Sequence, residues 1–125
     1  MPPVHVGIDL IEIDRITAAL ARHPERFRER VYTPREVAEC ERKPRPAQSY
    51  AGRFAGKEAV GKALGFGVAR AFAWQEVEIV GRPKPAVRLS GRLAERAAAL
   101  GVGSVDLSMT HSRELAQAVA IATDG

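Results

Sequence analysis

Two side chains, Glu58 and Lys62, lie one helical turn apart within the segment 53–62, and together they could act on one ligand. Phe54 precedes Glu58 by a further turn on the same face. A carboxylate beside an ammonium group is often only a surface ion pair, which contributes roughly a few tenths of a kcal/mol. The same pair could instead hold a metal ion and a phosphate, so the rest of the chain must distinguish these interpretations.

Side chains that bind metal ions or phosphates also occur elsewhere: Asp9 at the expected end of the first strand, His111 and Ser112 in the last hairpin, and Lys43, Arg45 and Arg53 in and after a proline-flanked loop. Two carboxylates without thiolates suit Mg²⁺, whose shell typically combines one or two protein carboxylates with phosphate and water. A lysine near such an ion suits a phosphate leaving group, and a His–Ser turn suits phosphate oxygens.

Each of these groups also has a purely structural explanation. Asp9 could end its strand with a turn hydrogen bond, and the His–Ser pair could merely shape the hairpin turn. The basic loop could be ordinary solvated surface. Because one sequence does not show that these groups converge in space, periodicity and spacing lead only to an anion-binding domain.

The 125 residues suit one compact domain over positions 1–125, and the net charge of +4 favours an anionic partner such as a nucleotide, an acidic protein or nucleic acid. Cys40 is the only cysteine and the three histidines are scattered, which excludes a disulfide framework and a thiolate zinc cluster. No stretch reads as a signal peptide or a membrane span. We therefore expect a cytoplasmic protein without a membrane partner.

The chain begins with alternating apolar and polar residues, which predict a strand with one buried face. The apolar set of this strand is Val4, Val6, Ile8 and Leu10. Asp9 is expected to point away from that apolar face. A helix then runs from about Ile13 to Leu20 and should stop before Pro24.

The middle of the chain is expected to be helical. A helix over 33–41 begins with a capping threonine, a proline in the first turn and a glutamate three residues after the cap. The segment 43–46, with two prolines, is the best candidate for a mobile loop. A longer helix then spans roughly 47–64, with Gly65 as its C-terminal stop.

The second half of the chain alternates short apolar stretches with turns and one alanine-rich segment. The predicted elements are strands near 77–79 and 87–89 joined by a turn over 81–85, a helix from a capping Ser90 to Gly101, and an antiparallel strand pair near 105–109 and 119–121. All elements together predict a mixed α+β domain with a mostly antiparallel sheet packed with a long helix. The strand order stays open.

Three segments resemble, in the same order, motifs of the holo-[acyl-carrier-protein] synthases, the small single-module type within the 4′-phosphopantetheinyl transferase superfamily. Residues 7–13 (GIDLIEI) resemble the opening motif, 53–65 (RFAGKEAVGKALG) the central signature, and 107–112 (LSMTHS) the closing motif. The resemblance spans nearly the whole chain, and three motifs in order are far more specific than one. Gly56 replaces the usual alanine and Ser112 the common threonine, whose hydroxyl is retained.

The resemblance implies an enzyme that transfers the 4′-phosphopantetheine arm of coenzyme A to a serine of apo-acyl carrier protein and releases adenosine 3′,5′-bisphosphate, as in fatty acid biosynthesis. The acceptor serine would belong to the carrier, which explains why no nucleophile is evident in this chain. The resemblance also implies Mg²⁺ as cofactor and a homotrimer with active sites at the subunit interfaces. Which subunit supplies each group, and which carrier proteins are modified, stays open.

By the same resemblance, Asp9 and Glu58 would hold Mg²⁺ against the pyrophosphate of coenzyme A. Glu58 or a metal-bound water would help to remove the proton of the carrier serine, and Lys62 would stabilise or protonate the departing phosphate. Besides Lys62, the residues implied in coenzyme A binding are Arg53, Phe54, Gly65, His111 and Ser112, with Lys43 or Arg45 near its 3′-phosphate.

Arg15, Arg22 and Arg26 have the spacing of a helical stripe, although Pro24 is expected to break the helix before Arg26. This basic stripe is a plausible docking face for an acidic carrier protein, and it could equally be a solvated surface. Two other functions are considered: a non-catalytic nucleotide-binding module of the same fold, and a small nucleic-acid-binding protein. Few aromatic residues and no nucleic-acid-binding motif argue against the second.

Overall fold

A computed structural model describes residues 3–66, 73–81 and 84–125 of the chain. The helices are α1 (Ile13–Arg22), α2 (Pro24–Val31), α3 (Pro34–Glu41), α4 (Pro46–Ala63) and α5 (Gly91–Ala99). The strands are β1 (Val4–Glu12), β2 (Val77–Val80), β3 (Ala86–Leu89), β4 (Ser104–His111) and β5 (Leu115–Thr123), and a 3-10 turn (Trp74–Glu76) precedes β2. The predicted α+β class is confirmed. Among the described residues, each helix is too short or too polar to cross a bilayer.

Within the described ranges the strands form two antiparallel sheets, one of three strands in the order β1-β5-β4 and one of two strands, β2-β3. The predicted pairing of the last two strands is confirmed, with Leu107 opposite Ala120. The strand order, which the sequence left open, places the first strand beside the last, with Asp9 opposite Ala118. β1 is therefore an edge strand of its sheet.

Helix α4 packs closely across the three-stranded sheet because both surfaces carry alanine. The buried alanines at the interface are Ala51, Ala55, Ala59 and Ala63 on α4 and Ala116, Ala118, Ala120 and Ala122 on β5. The helical set recurs every four residues and the strand set every two, so each forms a continuous small-residue face. Small side chains allow the helix axis to approach the sheet, and this approach determines which side chains fit between α4 and β1.

The face of β1 that packs against the core is the opposite of the predicted one. Gly7, Asp9 and Ile11 are buried against α4, and the prediction that the apolar set faces the core is wrong. The reason is steric: a Cβ at Gly7 would lie 1.8 Å from the carbonyl oxygen of Ala59, so this face accepts α4 only through a glycine. The strand also continues to Glu12, so Asp9 lies within it and not at its end.

The apolar residues of β1 instead form most of an exposed patch. We define the outer sheet face as Val4, Val6, Ile8 and Leu10 of β1 together with Leu115 and Ile121 of β5. The four β1 residues are between 53% and 64% exposed. Contiguous apolar patches of this kind are uncommon on monomers and usually mark an interaction surface.

Helix ends follow the local sequence at some positions and depart from it at others. The capping box is confirmed, with the backbone amide of Thr33 donating to Glu36 Oε1 at 2.8 Å. Gly65 follows α4 with a φ of +80°, as expected for a C-terminal stop. Helix α1 ends before Pro24 as predicted, but Pro24 opens α2, a helix that was not predicted.

Two predictions in the second half need comment. Ser90 is the N-cap residue of α5, as predicted, but its side chain makes no capping hydrogen bond. Glu76 replaces it: Oε1 of Glu76 accepts the backbone amide of Leu93, in the first turn of α5, at 3.1 Å. In the predicted turn over 81–85, positions 82 and 83 lie outside the described residues.

A fully buried ion pair joins α3 to α4. Lys57 Nζ lies 2.7 Å from Glu36 Oε1, and both side chains have no exposed surface. Lys57 also donates to the carbonyl of Trp74 at 2.9 Å, and Glu36 Oε2 accepts the amide of Ile79 at 2.8 Å. Because all these groups are paired, the buried charges are tolerated and tie the helix that carries Glu58 to β2.

Candidate functional site

Three of the predicted site residues converge where α4 crosses β1. Lys62 Nζ donates to Asp9 Oδ1 at 3.0 Å and to the carbonyl oxygen of Ile8 at 3.0 Å. The carboxyl group of Glu58 is within hydrogen-bonding reach of Asp9. Within the described ranges no ion pair joins Glu58 to Lys62, so the simple surface pair considered from the sequence is not formed. We call Asp9, Glu58 and Lys62 the acid–lysine cluster.

The two carboxyl groups of this cluster repel one another unless something lies between them. Burial first, and then the adjacent Asp9, raise the pKa of Glu58, while Lys62 and Arg15 act in the opposite direction; the net pKa is about 7. Asp9 Oδ2 is buried and accepts no hydrogen bond from the residues that the structure describes. As carboxylates, neither group can donate to the other, so a proton on one of them or a cation between them must satisfy this oxygen.

A small divalent cation fits this arrangement. Within the described parts of the chain, no group of three or more histidine, cysteine, aspartate or glutamate side chains could hold a metal ion. The Asp9–Glu58 pair supplies two hard oxygen ligands, and Mg²⁺ commonly takes one or two protein carboxylates and completes its shell with phosphate and water. The unsatisfied Asp9 oxygen is the observation that favours a cation here.

The raised pKa of Glu58 predicts how stability changes with pH in the absence of metal. In the folded chain the pKa is about 7, against an ordinary value of 4.5, so the folded state binds more protons between these values. The contribution of Glu58 is therefore most favourable at low pH and is lost as pH rises through about 7. With EDTA present, Glu58→Gln should raise the free energy of unfolding at pH 8 by about 1 kcal/mol, after allowance for solvent screening.

Urea denaturation at pH 5 and pH 8 measures this difference. At pH 5 the wild-type carboxyl is largely protonated, and the glutamine variant should gain little. Glu95→Gln, an exposed position on α5, is the matched control and should show no such pH dependence. An equal effect of Glu58→Gln at both pH values would contradict the assigned pKa.

A second set of predicted residues lines a cavity of about 480 Å³ at the start of α4. We call it the basic pocket, because its walls include Lys43, Arg45, Arg53 and His111. These side chains come from the 43–45 turn, from α4 and from the end of β4. Residues of the acid–lysine cluster do not line it. The pocket brings four predicted anion-binding residues together.

Arg53 is held firmly at this pocket. Its guanidinium donates to the carbonyl of Ile79 at 3.1 Å, to Ser49 Oγ at 3.0 Å and to Glu39 Oε1 at 2.8 Å. The side chain is buried, so these contacts fix its orientation. Glu39 and Ser49 were not singled out from the sequence. Glu39 lies on α3, outside the three family motifs, and Ser49 lies on α4 one turn before the central motif begins.

The other residues implied in coenzyme A binding lie outside the basic pocket. Ser112 Oγ accepts the backbone amide of Leu115 at 3.2 Å, so it shapes the hairpin turn, which was its alternative role. Phe54 stacks on Trp74 with ring centroids 4.6 Å apart. Gly65 lies beyond the C-terminus of α4. A direct role of these three residues in ligand binding stays a prediction.

The basic stripe is exposed, and its member Arg15 lies near the acid–lysine cluster. Arg15 and Arg22 are exposed on α1, and Arg26 is exposed on the separate helix α2, as the proline between them indicated. Arg15 is close enough to Glu58 to lower its pKa, against the larger opposing effect of burial. Carrier docking through this stripe stays a prediction, but the position of Arg15 next to the cluster is suitable.

Within one chain, the cluster and the basic pocket lie on separate strands. Asp9 is on β1 and His111 ends β4, with β5 between them, which places the two edge strands about 10 Å apart. The cluster can hold a metal ion and a phosphate, and the pocket can hold a second anionic group. A ligand with several phosphates could use both.

Comparison with known proteins gives consistent matches over nearly the whole chain. A family model described as the 4′-phosphopantetheinyl transferase superfamily matches residues 5–121. The holo-[acyl-carrier-protein] synthase of Chlamydia felis is 44% identical, with 98% of each chain covered. That of Moorella thermoacetica is 47% identical, over 94% of this chain and 92% of the relative. The crystal structure of the Helicobacter pylori synthase in complex with coenzyme A is 32% identical and superimposes with a TM-score of 0.80, covering 94% of this chain and 98% of that one.

Proposed function

The chain belongs to the 4′-phosphopantetheinyl transferase superfamily, and we propose that it is a holo-[acyl-carrier-protein] synthase with one transferase domain over residues 1–125. It transfers the 4′-phosphopantetheine arm of coenzyme A to a serine of apo-acyl carrier protein in the cytoplasm, as a step of fatty acid biosynthesis. The observation that carries this proposal is the convergence of Asp9, Glu58 and Lys62 from β1 and α4. The similarity to named synthases supports it.

In the proposed reaction, the serine oxygen of the carrier attacks the phosphorus that bears pantetheine, and the bond to the second phosphate breaks. Mg²⁺ held by Asp9 and Glu58 would supply neutralisation of the charge on the phosphate oxygens. The carboxyl group of Glu58, which lies beside Asp9, can accept the serine proton. Lys62 Nζ, beside Asp9, can donate a hydrogen bond or a proton to the departing phosphate.

The basic pocket is proposed to hold the 3′-phosphate and the adenosine end of coenzyme A. Lys43 and Arg45 bring positive charge on a turn, while the fixed guanidinium of Arg53 adds directed donors. Coenzyme A is bound in the structure of the Helicobacter pylori relative, which supports this ligand. In one chain the cluster is on β1 and the pocket reaches the end of β4, and we propose that a coenzyme A molecule uses the cluster of one copy and the pocket of a neighbouring copy.

The decisive test is a carrier-modification assay. The protein is incubated with coenzyme A, Mg²⁺ and apo-acyl carrier protein, and the intact mass of the carrier is measured. Gain of one phosphopantetheine group, lost when EDTA is added, is the expected result. Binding of coenzyme A without modification would favour the non-catalytic module, and steep salt-dependent binding of DNA or RNA would favour the nucleic-acid-binding alternative. Parallel reactions with polyketide and peptide synthase carriers define which carriers are accepted.

The outer sheet face predicts self-association, which we propose gives a homotrimer. Val6→Asp places a charge in this apolar patch and should dissociate the assembly, because an unpaired charge is not tolerated in a buried apolar contact. Light scattering should then give the 13.5 kDa of a single chain, against three times that value for the wild type. Ala98→Asp, at an exposed position on α5, is the control. A Val6→Asp variant that keeps the wild-type mass would contradict the proposal.

The basic stripe predicts a selective effect on the carrier substrate. Arg15→Glu should raise KM for apo-acyl carrier protein about tenfold at low salt, because it removes an attraction and adds a repulsion to an acidic partner. KM for coenzyme A should change little. Steady-state kinetics with each substrate varied in turn measures this, with Arg35→Glu on α3 as control. Equal KM values for the carrier in wild type and Arg15→Glu would show that this face is only solvated surface.

A further inference from the structure

A second cavity, of about 420 Å³, lies along the open edge of β1 and begins at Lys62. We call it the edge cavity. Its walls include His5 of β1, Leu64 and Gly65 at the end of α4, and Arg96 and Leu100 at the end of α5. It shares Lys62 with the acid–lysine cluster, so a ligand whose phosphate lies at the cluster has this cavity as its continuation.

Two polar side chains at the end of the cavity away from Asp9 have hydrogen-bonding atoms without a partner among the described residues. His5 Nε2 is buried, and no group in the described part of the chain forms a hydrogen bond with it. Arg96 Nε donates to the carbonyl oxygen of Leu64 at 3.0 Å, which is the side chain's one hydrogen bond within residues 3–66, 73–81 and 84–125. Its Nη2 lies 3.0 Å from where a Cβ on Gly65 would be, so the guanidinium covers the turn after α4. A cationic group and an unsatisfied imidazole nitrogen together favour an anionic or strongly polar ligand end.

The edge of β1 presents backbone groups along the same cavity. The carbonyl of Ile8 accepts Lys62 Nζ at 3.0 Å and therefore faces the open edge. Polar backbone groups of an antiparallel edge strand alternate in direction, so those of Val6 and Val4 face the same way. An extended ligand with amide groups could pair with them as an added strand would.

The length of the cavity suits the pantetheine arm. From Asp9 to His5 the strand advances four residues, or about 13 Å. The arm from its phosphate oxygen to its sulfur has as many backbone bonds as a four-residue peptide and reaches about the same distance. With the phosphate at the cluster, the sulfur therefore arrives beside His5 and Arg96, and a group attached to the sulfur would meet both.

Building on the proposed function, we propose that the edge cavity holds the pantetheine arm and that Arg96 and His5 favour coenzyme A thioesters whose acyl group ends in a carboxylate. In this reaction the carrier serine oxygen bonds to phosphorus, the bond to the adenosine bisphosphate breaks, and the serine proton passes to the base. The thioester is not broken, so the carrier receives the acylated arm intact.

The test compares succinyl- and butyryl-coenzyme A as donors, because their acyl groups have the same number of carbon atoms and differ in the terminal carboxylate. The wild-type protein should show a kcat/KM about five- to tenfold higher for succinyl-coenzyme A, the size expected for one partly exposed charged hydrogen bond. Arg96→Gln should bring this ratio to about one, and Arg96→Lys should keep part of it. The ratio is taken within each variant, so a general loss of activity cancels.

Arg92→Gln, one turn earlier on α5 and outside the walls of the cavity, is the matched control and should keep the wild-type ratio. A wild-type ratio near one, or an unchanged ratio in Arg96→Gln, would overturn the proposal whatever the stability of the variants. Transfer from unmodified coenzyme A is measured in parallel. If the wild-type protein fails even that reaction, the proposed function itself is wrong; if it succeeds without a preference, only the edge-cavity proposal is lost.

Discussion

Glu58→Ala should lower kcat for transfer to apo-acyl carrier protein by at least about a thousandfold, which corresponds to roughly 4 kcal/mol of transition-state stabilisation. The variant loses one of two carboxylates proposed to hold Mg²⁺ and the group proposed to accept the serine proton. The fold should survive, because alanine is the best helix former and the change relieves repulsion from Asp9. Intact-mass measurement of the carrier over time gives the rate, and thermal unfolding gives the stability.

Glu95→Ala, which removes an exposed carboxylate from α5, is the control and should keep wild-type activity. Asp9→Asn should resemble Glu58→Ala in rate, since it removes the other proposed ligand. Retention of more than about a tenth of the activity in a folded Glu58→Ala protein would refute the assigned role. A loss that small is too little for a residue that both holds the metal ion and accepts the serine proton.

Local signals in the sequence predicted two helix ends correctly and failed at a third position. The capping box of α3 formed because Thr33 and Glu36 need only one turn of helix to satisfy each other. Gly65 ended α4 because it adopts the positive φ that other residues avoid. The sequence predicts only that Pro24 ends the preceding helix α1. Because the fixed φ of proline suits the first turn of a helix equally well, α2 was not predicted. A proline alone does not distinguish the end of one helix from the start of another.

The orientation of β1 could not be inferred from hydrophobicity, because each face of the strand has its own structural role. One face meets α4 through Gly7 and Asp9, and the other carries the apolar residues that we assign to contact between copies. A glycine within an apolar strand often marks a close backbone approach, and this was the available signal. The buried Glu36–Lys57 pair was missed for a related reason, since charged residues of a helix are normally read as exposed.

For the candidate site, spacing placed Glu58 and Lys62 on one helix face but did not bring Asp9 to them. That convergence depends on how β1 packs against α4, a contact between segments some fifty residues apart, with Lys62 joined to Asp9. Only the resemblance to a known family linked the three residues in advance. The edge cavity as a whole had no sequence signal, because its walls combine β1, α4 and α5. Lys62 and Gly65 belong to the central motif, but His5, Arg96 and Leu100 belong to none.

Gly7→Ala should have the largest effect on stability. Its added methyl group would lie 1.8 Å from the carbonyl oxygen of Ala59 and 2.7 Å from the backbone nitrogen of Ala63. Both are backbone atoms of α4 and cannot rotate away, so the helix and the strand must separate. We expect a loss of more than about 4 kcal/mol in the free energy of unfolding, which is a large part of the total for a domain of this size.

The matched control is Gly52→Ala on α4, where the nearest atom to the new methyl group is Met109 Sδ at 4.0 Å. This control should gain up to about 1 kcal/mol from helix propensity. Urea denaturation of both variants gives the comparison. A Gly7→Ala protein as stable as the wild type would show that α4 and β1 are not in contact at this point. That outcome would also contradict the distance of 3.0 Å between Lys62 Nζ and Asp9 Oδ1, because the close contact of α4 with Gly7 brings the two side chains together.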